Sequence, residues 1–209
     1  MATTTPPDVA IHHLGLRDYA DTWRRMQTFT RARGDGDGDQ IWLLQHPPVF
    51  TRGTRRAAPP RAAHDDDAIP LIDTDRGGEI TYHAPGQLIV YLLLDLKRRR
   101  LGPKALVRQV EQTVIDLLAD HNIAAARRRG APGVYVRDAK IAALGLRITR
   151  GCCFHGLSLN VAMNLAPYRR IDPCGYPGLA VTQMREHLDA VDLAAVEDDL
   201  ARRLLGGFG

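Results

Sequence analysis

The chain has 209 residues, of which 44% are hydrophobic and 25% charged, with a net charge of +4 and a pI near 9.2. That length supports one domain with a sizeable core, and the composition excludes disordered, collagen-like and disulfide-dense classes. The longest apolar run, residues 88–94, is too short to cross a membrane, and residues 1–8 lack the basic and apolar regions of a secretory signal.

Three cysteines, Cys152, Cys153 and Cys174, make an odd and sparse set. With no export signal they predict reduced thiols and a cytoplasmic protein. The positive charge admits an acidic partner without requiring one.

Residues 1–9 are Thr/Pro-rich and read as a flexible tail, leaving 10–209 as the domain. Leu16, Tyr19, Ala20, Trp23 and Met26 recur at helical spacing, which predicts an amphipathic helix over 16–33. The Gly/Asp alternation of 34–39 is an acidic loop. A calcium loop starting at Asp35 would need Gly and Glu where Gln40 and His46 stand, so that reading fails. A short strand follows over 41–44, and Pro47 and Pro48 set an extended turn that projects His46 and Thr51 from its end. Residues 54–67 have the composition of a surface loop, after which 69–72 turn apolar again.

The stretch from Arg76 to Leu96 organises the rest. Its first half carries Gly77, Gly78, Pro85 and Gly86 among Arg76, Thr81, Tyr82, His83 and Gln87, and its second half is almost wholly apolar. An apolar run bounded by turn residues predicts a strand covered on both faces. A polar, glycine-rich segment anchored to such a strand suits a binding wall, because glycine lets backbone approach a ligand. A tight turn before a core strand is the plainer alternative.

Downstream, Leu106, Val110, Val114, Leu117 and Leu118 form one apolar face and predict a helix over 103–121, with Pro103 at its start. The triplets Arg98–Arg100 and Arg127–Arg129 read either as solvated surface or as a shared basic face for an acidic protein. Residues 133–136 and 140–148 predict a hairpin turning through 137–139. In a regular strand Lys140 shares a side with Ala142, Leu144, Leu146 and Ile148. Lysine is rarely placed there for packing, and burial would favour its neutral amine; a strand-end lysine reaching water is the alternative.

Over 151–161 a further strand places His155, Leu157, Leu159 and Val161 on one parity and Gly156, Ser158 and Asn160 on the other, where Gly156 and Ser158 suit a close-fitting tunnel wall. Cys152 and Cys153 lack the spaced partners of a zinc site and read as small buried or edge residues. Cys174, between Pro173 and Gly175, sits on a constrained loop that suits a reactive thiol better than packing. A short helix is expected over 181–188, and Leu193, Val196, Leu200 and Leu204 define a last amphipathic helix. Strands in hairpin-like clusters with helices between them predict a mixed-sheet α/β or α+β domain.

Taken together these segments resemble the octanoyl-[acyl carrier protein]:protein N-octanoyltransferases, also called lipoyl(octanoyl) transferases. The segments that carry the resemblance are His46-Pro47-Pro48-Val49, Arg76-Gly77-Gly78 with Thr81-Tyr82-His83, and Pro85-Gly86-Gln87-Leu88. Lys140-Ile141-Ala142 with Leu144-Gly145, His155-Gly156-Leu157 with Leu159-Asn160-Val161, and Pro173-Cys174-Gly175 complete it. The chain departs from the family in having Ala84 where glycine is usual, which adds a methyl close to the expected pocket.

The resemblance implies a single domain like the biotin and lipoate protein ligases, a mixed β-sheet backed by helices. It also implies that an octanoyl group passes from the phosphopantetheine thioester of acyl carrier protein to a lysine of a lipoyl domain. The acceptors implied are the lipoyl domains of 2-oxoacid dehydrogenases and the glycine cleavage H protein. Cys174 would be the nucleophile and Lys140 its activator. Arg76, Gly77, Gly78, Glu79, Ile80, Thr81, Tyr82 and His83 would line the acyl site, with Ala143, Leu144, Gly145, Gly156, Leu157 and Ser158. No cofactor, metal, ATP, nucleic acid or membrane is implied, and the expected state is a monomer.

Three rivals are weighed against it. An ATP-dependent lipoate or biotin ligase would use the lysine with no requirement for Cys174. A cysteine hydrolase would pair Cys174 with His83 or His155, but no third group to orient the histidine is apparent. A basic module binding RNA or an acidic protein through the arginine triplets fits poorly with 6% aromatic content.

Overall fold

The computed structural model describes residues 9–34, 36–61, 69–172 and 178–209. In chain order the elements are β1 (Val9–Leu16), α1 (Tyr19–Ala32), β2 (Asp39–Gln45), β3 (Val49–Arg52), β4 (Leu71–Asp73), β5 (Ile80–His83) and β6 (Gln87–Asp95). There follow α2 (Pro103–Asp120), β7 (Ala126–Arg128), β8 (Ala131–Val136), β9 (Ala139–Thr149), β10 (Cys152–Asn160) and α3 (Leu193–Phe208). Seven strands form one sheet in the order β1-β2-β6-β10-β9-β8-β7, and β4-β3-β5 form a second, smaller sheet. The large sheet is mixed: β1 and β2 run parallel, the remaining pairs antiparallel.

Strand β6 is buried along its length except at Asp95, as its unbroken apolar sequence requires. Leu88, Val90, Leu92 and Leu94 point into a core shared with α2 and α3, whose Leu106, Val110, Leu117, Leu200 and Leu204 are fully buried. The alternate residues Ile89, Tyr91 and Leu93 join Met26 of α1, Trp42, Leu44 and Phe154 on the opposite face. A third cluster, Phe50, Ile80, Tyr82, Ala84, Met163, Tyr168 and Ile171, lies under the small sheet. Pro103 opens α2 as expected, and Asp18 and Asp192 cap α1 and α3 by accepting from Asp21 and Ala194 backbone amides at 2.9 Å each.

Several expectations are corrected. The helix expected from residue 16 begins at Tyr19, because Val9–Leu16 pair with β2 as an edge strand; Gly15 (φ 66°) shifts their register. The loose tail reaches at most residue 8, since Val9 is a buried strand residue and residues 1–8 lie outside those described. Residues 49–52, read as a turn, form β3, and His46 and Thr51 are wholly buried instead of projecting. The helix expected over 181–188 reduces to one turn at Met184–Glu186.

Half of the arginines in the two triplets, Arg98, Arg99 and Arg127, compensate buried carboxylates, whereas Arg128 forms a surface pair. Asp39 is 0% exposed and paired by Arg33, Arg98 (3.0 Å) and Arg99, while Arg127 holds buried Glu111 at 3.1 Å and Arg128 pairs Asp138 at 2.5 Å. A buried carboxylate demands such compensation, and the sequence pattern of a basic run does not reveal it.

Candidate active site

A pocket opens on the α1 face of the large sheet, between β9 and β10 and the segment that leads through β5 into β6. Its non-atom space, open mouth included, is about 720 Å³. Its floor is built from Ala143, Leu144 and Gly145 of β9 facing Gly156, Leu157 and Ser158 of β10, and its roof from Arg76, Gly78, Glu79, Ile80, Thr81 and His83. Two glycines make this closeness possible. A Cβ at Gly156 would lie 2.0 Å from the Val90 carbonyl oxygen, and one at Gly145 would lie 2.8 Å from that of Gly77. The roof is tied down there by the Gly77 amide donating to the Leu146 carbonyl at 2.9 Å.

Two of the residues expected in the wall are elsewhere. Gly77 lies behind it, its carbonyl accepting from Arg76, and the Tyr82 ring packs on Phe50 and Tyr168 in the third cluster. The extra methyl of Ala84 is buried in that cluster too, away from the pocket lining. Conversely, Tyr19, Ile89, Tyr91, His155, Asn160 and Tyr168 line the pocket without having been predicted. Tyr19 read only as a helix-face residue and Tyr91 as part of an apolar run, so neither carried a local signal.

Behind the roof runs a directed chain of buried hydrogen bonds. Arg76 donates through Nη2 to the Thr51 carbonyl (2.7 Å) and the Glu79 carbonyl (2.7 Å), and through Nε to Thr51 Oγ1 (3.1 Å). Thr51 Oγ1 lies 3.2 Å from His83 Nε2, and His83 Nδ1 lies 2.8 Å from Gln87 Oε1. Gln87 Nε2 in turn donates to the Tyr82 carbonyl, Asn160 Oδ1 and Tyr168 Oη. Since the Gln87 amide nitrogen is engaged as donor, its oxygen accepts, so His83 carries its proton on Nδ1 and accepts from Thr51 at Nε2. Asn160 continues the chain to the Thr182 carbonyl (2.9 Å), and the Thr182 amide donates to the Lys140 carbonyl (3.0 Å). The roof and the strand carrying Lys140 are thus held in one network. Arg76 acts in it by positioning the loop.

Burial governs the histidines. His46, whose Nδ1 donates to the Arg17 carbonyl at 2.7 Å and whose Nε2 is 2.7 Å from Tyr91 Oη, is pushed down to about 4. Burial also holds His83 well below its usual value, and pushes Tyr19 up to about 12. Tyr19 and His83, both in the pocket lining, stack at 5.8 Å between centroids, with His46 edge-on to both.

His155 departs from the strand parity expected of it. At φ 60° its backbone is left-handed, which carries its ring to the α1 face beside Tyr91. There His155 Nε2 donates to Asp75 Oδ1 at 2.9 Å, a carboxylate that also accepts from Trp23 (2.7 Å) and Gln27 (3.2 Å). Burial is the largest single influence and raises Asp75, but His155, Trp23 and Gln27 together outweigh it and bring the carboxyl down to about 2.

Lys140 lines the other end of the pocket and is 3% exposed, so the amine is buried and does not reach water. Nζ donates to the Pro132 carbonyl at 3.0 Å and stands 5.1 Å from the centroid of Tyr135. The strand segment is clamped by the Lys140 amide donating to the Ala180 carbonyl at 2.8 Å. Cys174 lies outside the described residues, in the gap between 172 and 178. The described cysteines are packed as expected: Cys153 is buried, its thiol raised to about 12 by burial, and Cys152 is half-buried. Among the described residues no group of three or more His, Cys, Asp or Glu is placed to hold a metal, and no helix is long and apolar enough to cross a membrane.

The model of the lipoyl protein ligase A/B catalytic domain matches residues 18–205. The chain is 50% identical over 202 residues to an octanoyltransferase of Stutzerimonas stutzeri (strain A1501), covering 97% of this chain and 91% of that one. It is 51% identical over 195 residues to an octanoyltransferase of Azoarcus sp. (strain BH72), covering 93% and 86%. In fold it is similar to a putative lipoate protein ligase of T. acidophilum with bound lipoic acid (TM-score 0.77, 15% identity, 96% and 86% covered). It is also similar to biotin protein ligase of Aquifex aeolicus with biotin and ATP (TM-score 0.58, 14% identity, 96% and 70% covered). The mixed sheet, the glycine-built pocket and the buried lysine therefore belong to a member of the octanoyltransferase family, built on the lipoyl protein ligase A/B catalytic domain.

Proposed function

We propose that this octanoyltransferase takes its acyl group from the phosphopantetheine thioester of acyl carrier protein and delivers it to a lysine of a lipoyl domain through a Cys174 thioester. Octanoyl transfer in protein lipoylation rests on the relatives at about half identity over nearly the whole chain. The observation that supports this route is Lys140, a buried amine at one end of an apolar pocket that donates to the Pro132 carbonyl and stands over the Tyr135 ring. A carbonyl and a ring face are groups that an ammonium donates to, so Lys140 suits the stabilisation of a neighbouring thiolate.

A thiol with a pKa of about 8.5 is only a few per cent thiolate at neutral pH, so such help matters. The Cys174 thiolate attacks the thioester carbonyl carbon, the bond to the pantetheine sulfur breaks, and the carrier leaves as a thiol with a proton from the Lys140 ammonium, which becomes the neutral amine. The acceptor amine then attacks the acyl-enzyme, loses a proton to Lys140 and restores the cysteine. The pocket accepts the acyl chain, each buried methylene contributing about 0.8 kcal/mol. Ala143, Leu144, Gly145, Gly156, Leu157 and Ser158 form its floor, and Arg76 to His83 its roof and backing. The reading includes a monomeric cytoplasmic enzyme that needs no ATP.

The test is intact-protein mass spectrometry after mixing with octanoyl-carrier protein in the absence of ATP. The expected result is one octanoyl adduct on Cys174, absent in Cys174→Ala and slow in Lys140→Ala. No adduct, with lipoyl-domain modification only when ATP and free octanoic acid are supplied, would replace the transferase by the ligase.

A further inference from the structure

A second groove meets the pocket from the α2 side of the molecule. It is lined by Val107 of α2, Ala131 and Pro132 of β8, Leu146 of β9 and Arg55, and it shares Gly78, Glu79, Leu144 and Gly145 with the pocket. Its Pro132 carbonyl is the acceptor for Lys140 Nζ, at 3.0 Å, so a residue of the groove lining contacts the lysine that lines the pocket. We propose that this groove holds the thioester-linked arm of the acyl donor, with the arm's phosphodiester at the basic outer end; the proposal rests on the transferase reading above.

Charge and shape select that occupant. Val107, Ala131, Leu144 and Leu146 are half-buried and Pro132 is exposed, an apolar wall that suits a thin arm of methylenes and amides. At the rim Arg55 is 72% exposed and only 4.0 Å from Glu79, the one acid in the lining. Lys104, one turn before Val107 on the same helix face, and Arg129, adjoining Gly130, are exposed and have no ion-pair partner among the described residues. The other groove that touches the pocket, through Tyr168 and Val181, carries Asp172 and Glu186 against Arg61 and Arg169, with Arg61 and Asp172 already paired at 3.3 Å. Each lining is charge-balanced by itself, so the first groove is favoured by the exposed Lys104 and Arg129 that flank its lining residues in sequence and suit a phosphodiester.

The experiment compares two donors on wild type, Val107→Trp, which fills the groove, and the double charge reversal Lys104→Glu/Arg129→Glu. One donor is octanoyl-carrier protein; the other is octanoyl-N-acetylcysteamine, whose arm stops before the phosphodiester. The expected result is a fall of about tenfold or more in the carrier-to-short-donor ratio of acylation rates for both variants, with a weaker salt dependence for the charge reversal. An unchanged ratio in both variants overturns the proposal, whether the two rates stay at wild type or fall together. A wild type that forms no adduct from the carrier donor removes the transferase reading itself, whereas a wild-type adduct that forms as fast on both variants removes only the groove.

Discussion

Strand β6 shows one side of its backbone to α2 and α3 and the other to α1, and the two sides are built differently. Towards α2 and α3 it presents Leu88, Val90, Leu92 and Leu94, all fully buried among apolar neighbours. Towards α1 it presents Gln87, Ile89, Tyr91 and Leu93, and Gln87 and Tyr91 are joined by hydrogen bonds to His83, Asn160, Tyr168 and His46. The first face gains stability from area removed from water. The second carries polar groups that are tolerable only because each is matched to a partner. The candidate pocket opens on the second face, where burial moves His46, His83, Tyr19 and Tyr91 away from their ordinary values.

The sharpest way to break that contrast is one substitution on each side. Lys140→Met should slow acyl-enzyme formation by about 10²–10⁴-fold, the usual range for a lost proton-transfer group, while the denaturant midpoint moves little. Leu92→Ala should do the reverse, costing about 2–5 kcal/mol in urea unfolding with near-normal acylation at temperatures where it stays folded. Equal losses of rate in both would erase the distinction.

Acid should act on the polar face first. His46, His83 and His155 are held below their ordinary pKa by burial, so the unfolded chain takes up protons below about pH 6.5 that the folded chain refuses. Stability is therefore fully present above pH 6.5 and declines as pH falls, until His46 itself charges near 4. For His46 alone the span corresponds to about 3 kcal/mol, to be read as a falling unfolding free energy between pH 7 and 4.5. A flat profile would mean that the histidines open to water.

Gln87→Leu should cost about 1–3 kcal/mol, because Asn160 Oδ1 and His83 Nδ1 lose a buried partner together. Calorimetry would show it as a lowered Tm. The smallest effect is expected from Ala84→Gly, at about 0.4–1 kcal/mol, since Ala84 packs in the third cluster. Its octanoyl-to-decanoyl preference should match wild type; a changed preference would put residue 84 in the acyl wall after all.

Much was legible in the chain itself. The apolar run of β6, the periodicity of α2 and α3 and the β8–β9 hairpin follow from local pattern, because burial on one or both faces dictates residue type at fixed spacing. The paired glycines of the pocket and the lysine on an apolar strand were visible for the same reason. What the tertiary structure decided was how distant groups meet. A basic triplet looks solvated until Asp39, some sixty positions earlier in sequence, is found beneath it. His155 follows its strand's alternation until a left-handed φ and Asp75 turn it to the other face. Thr51, His83, Gln87 and Asn160 become one chain of hydrogen bonds only when two sheets bring them together. Apolar burial leaves a periodic mark on the sequence; the matching of one polar group to another leaves none, since any fold-distant residue can supply the partner.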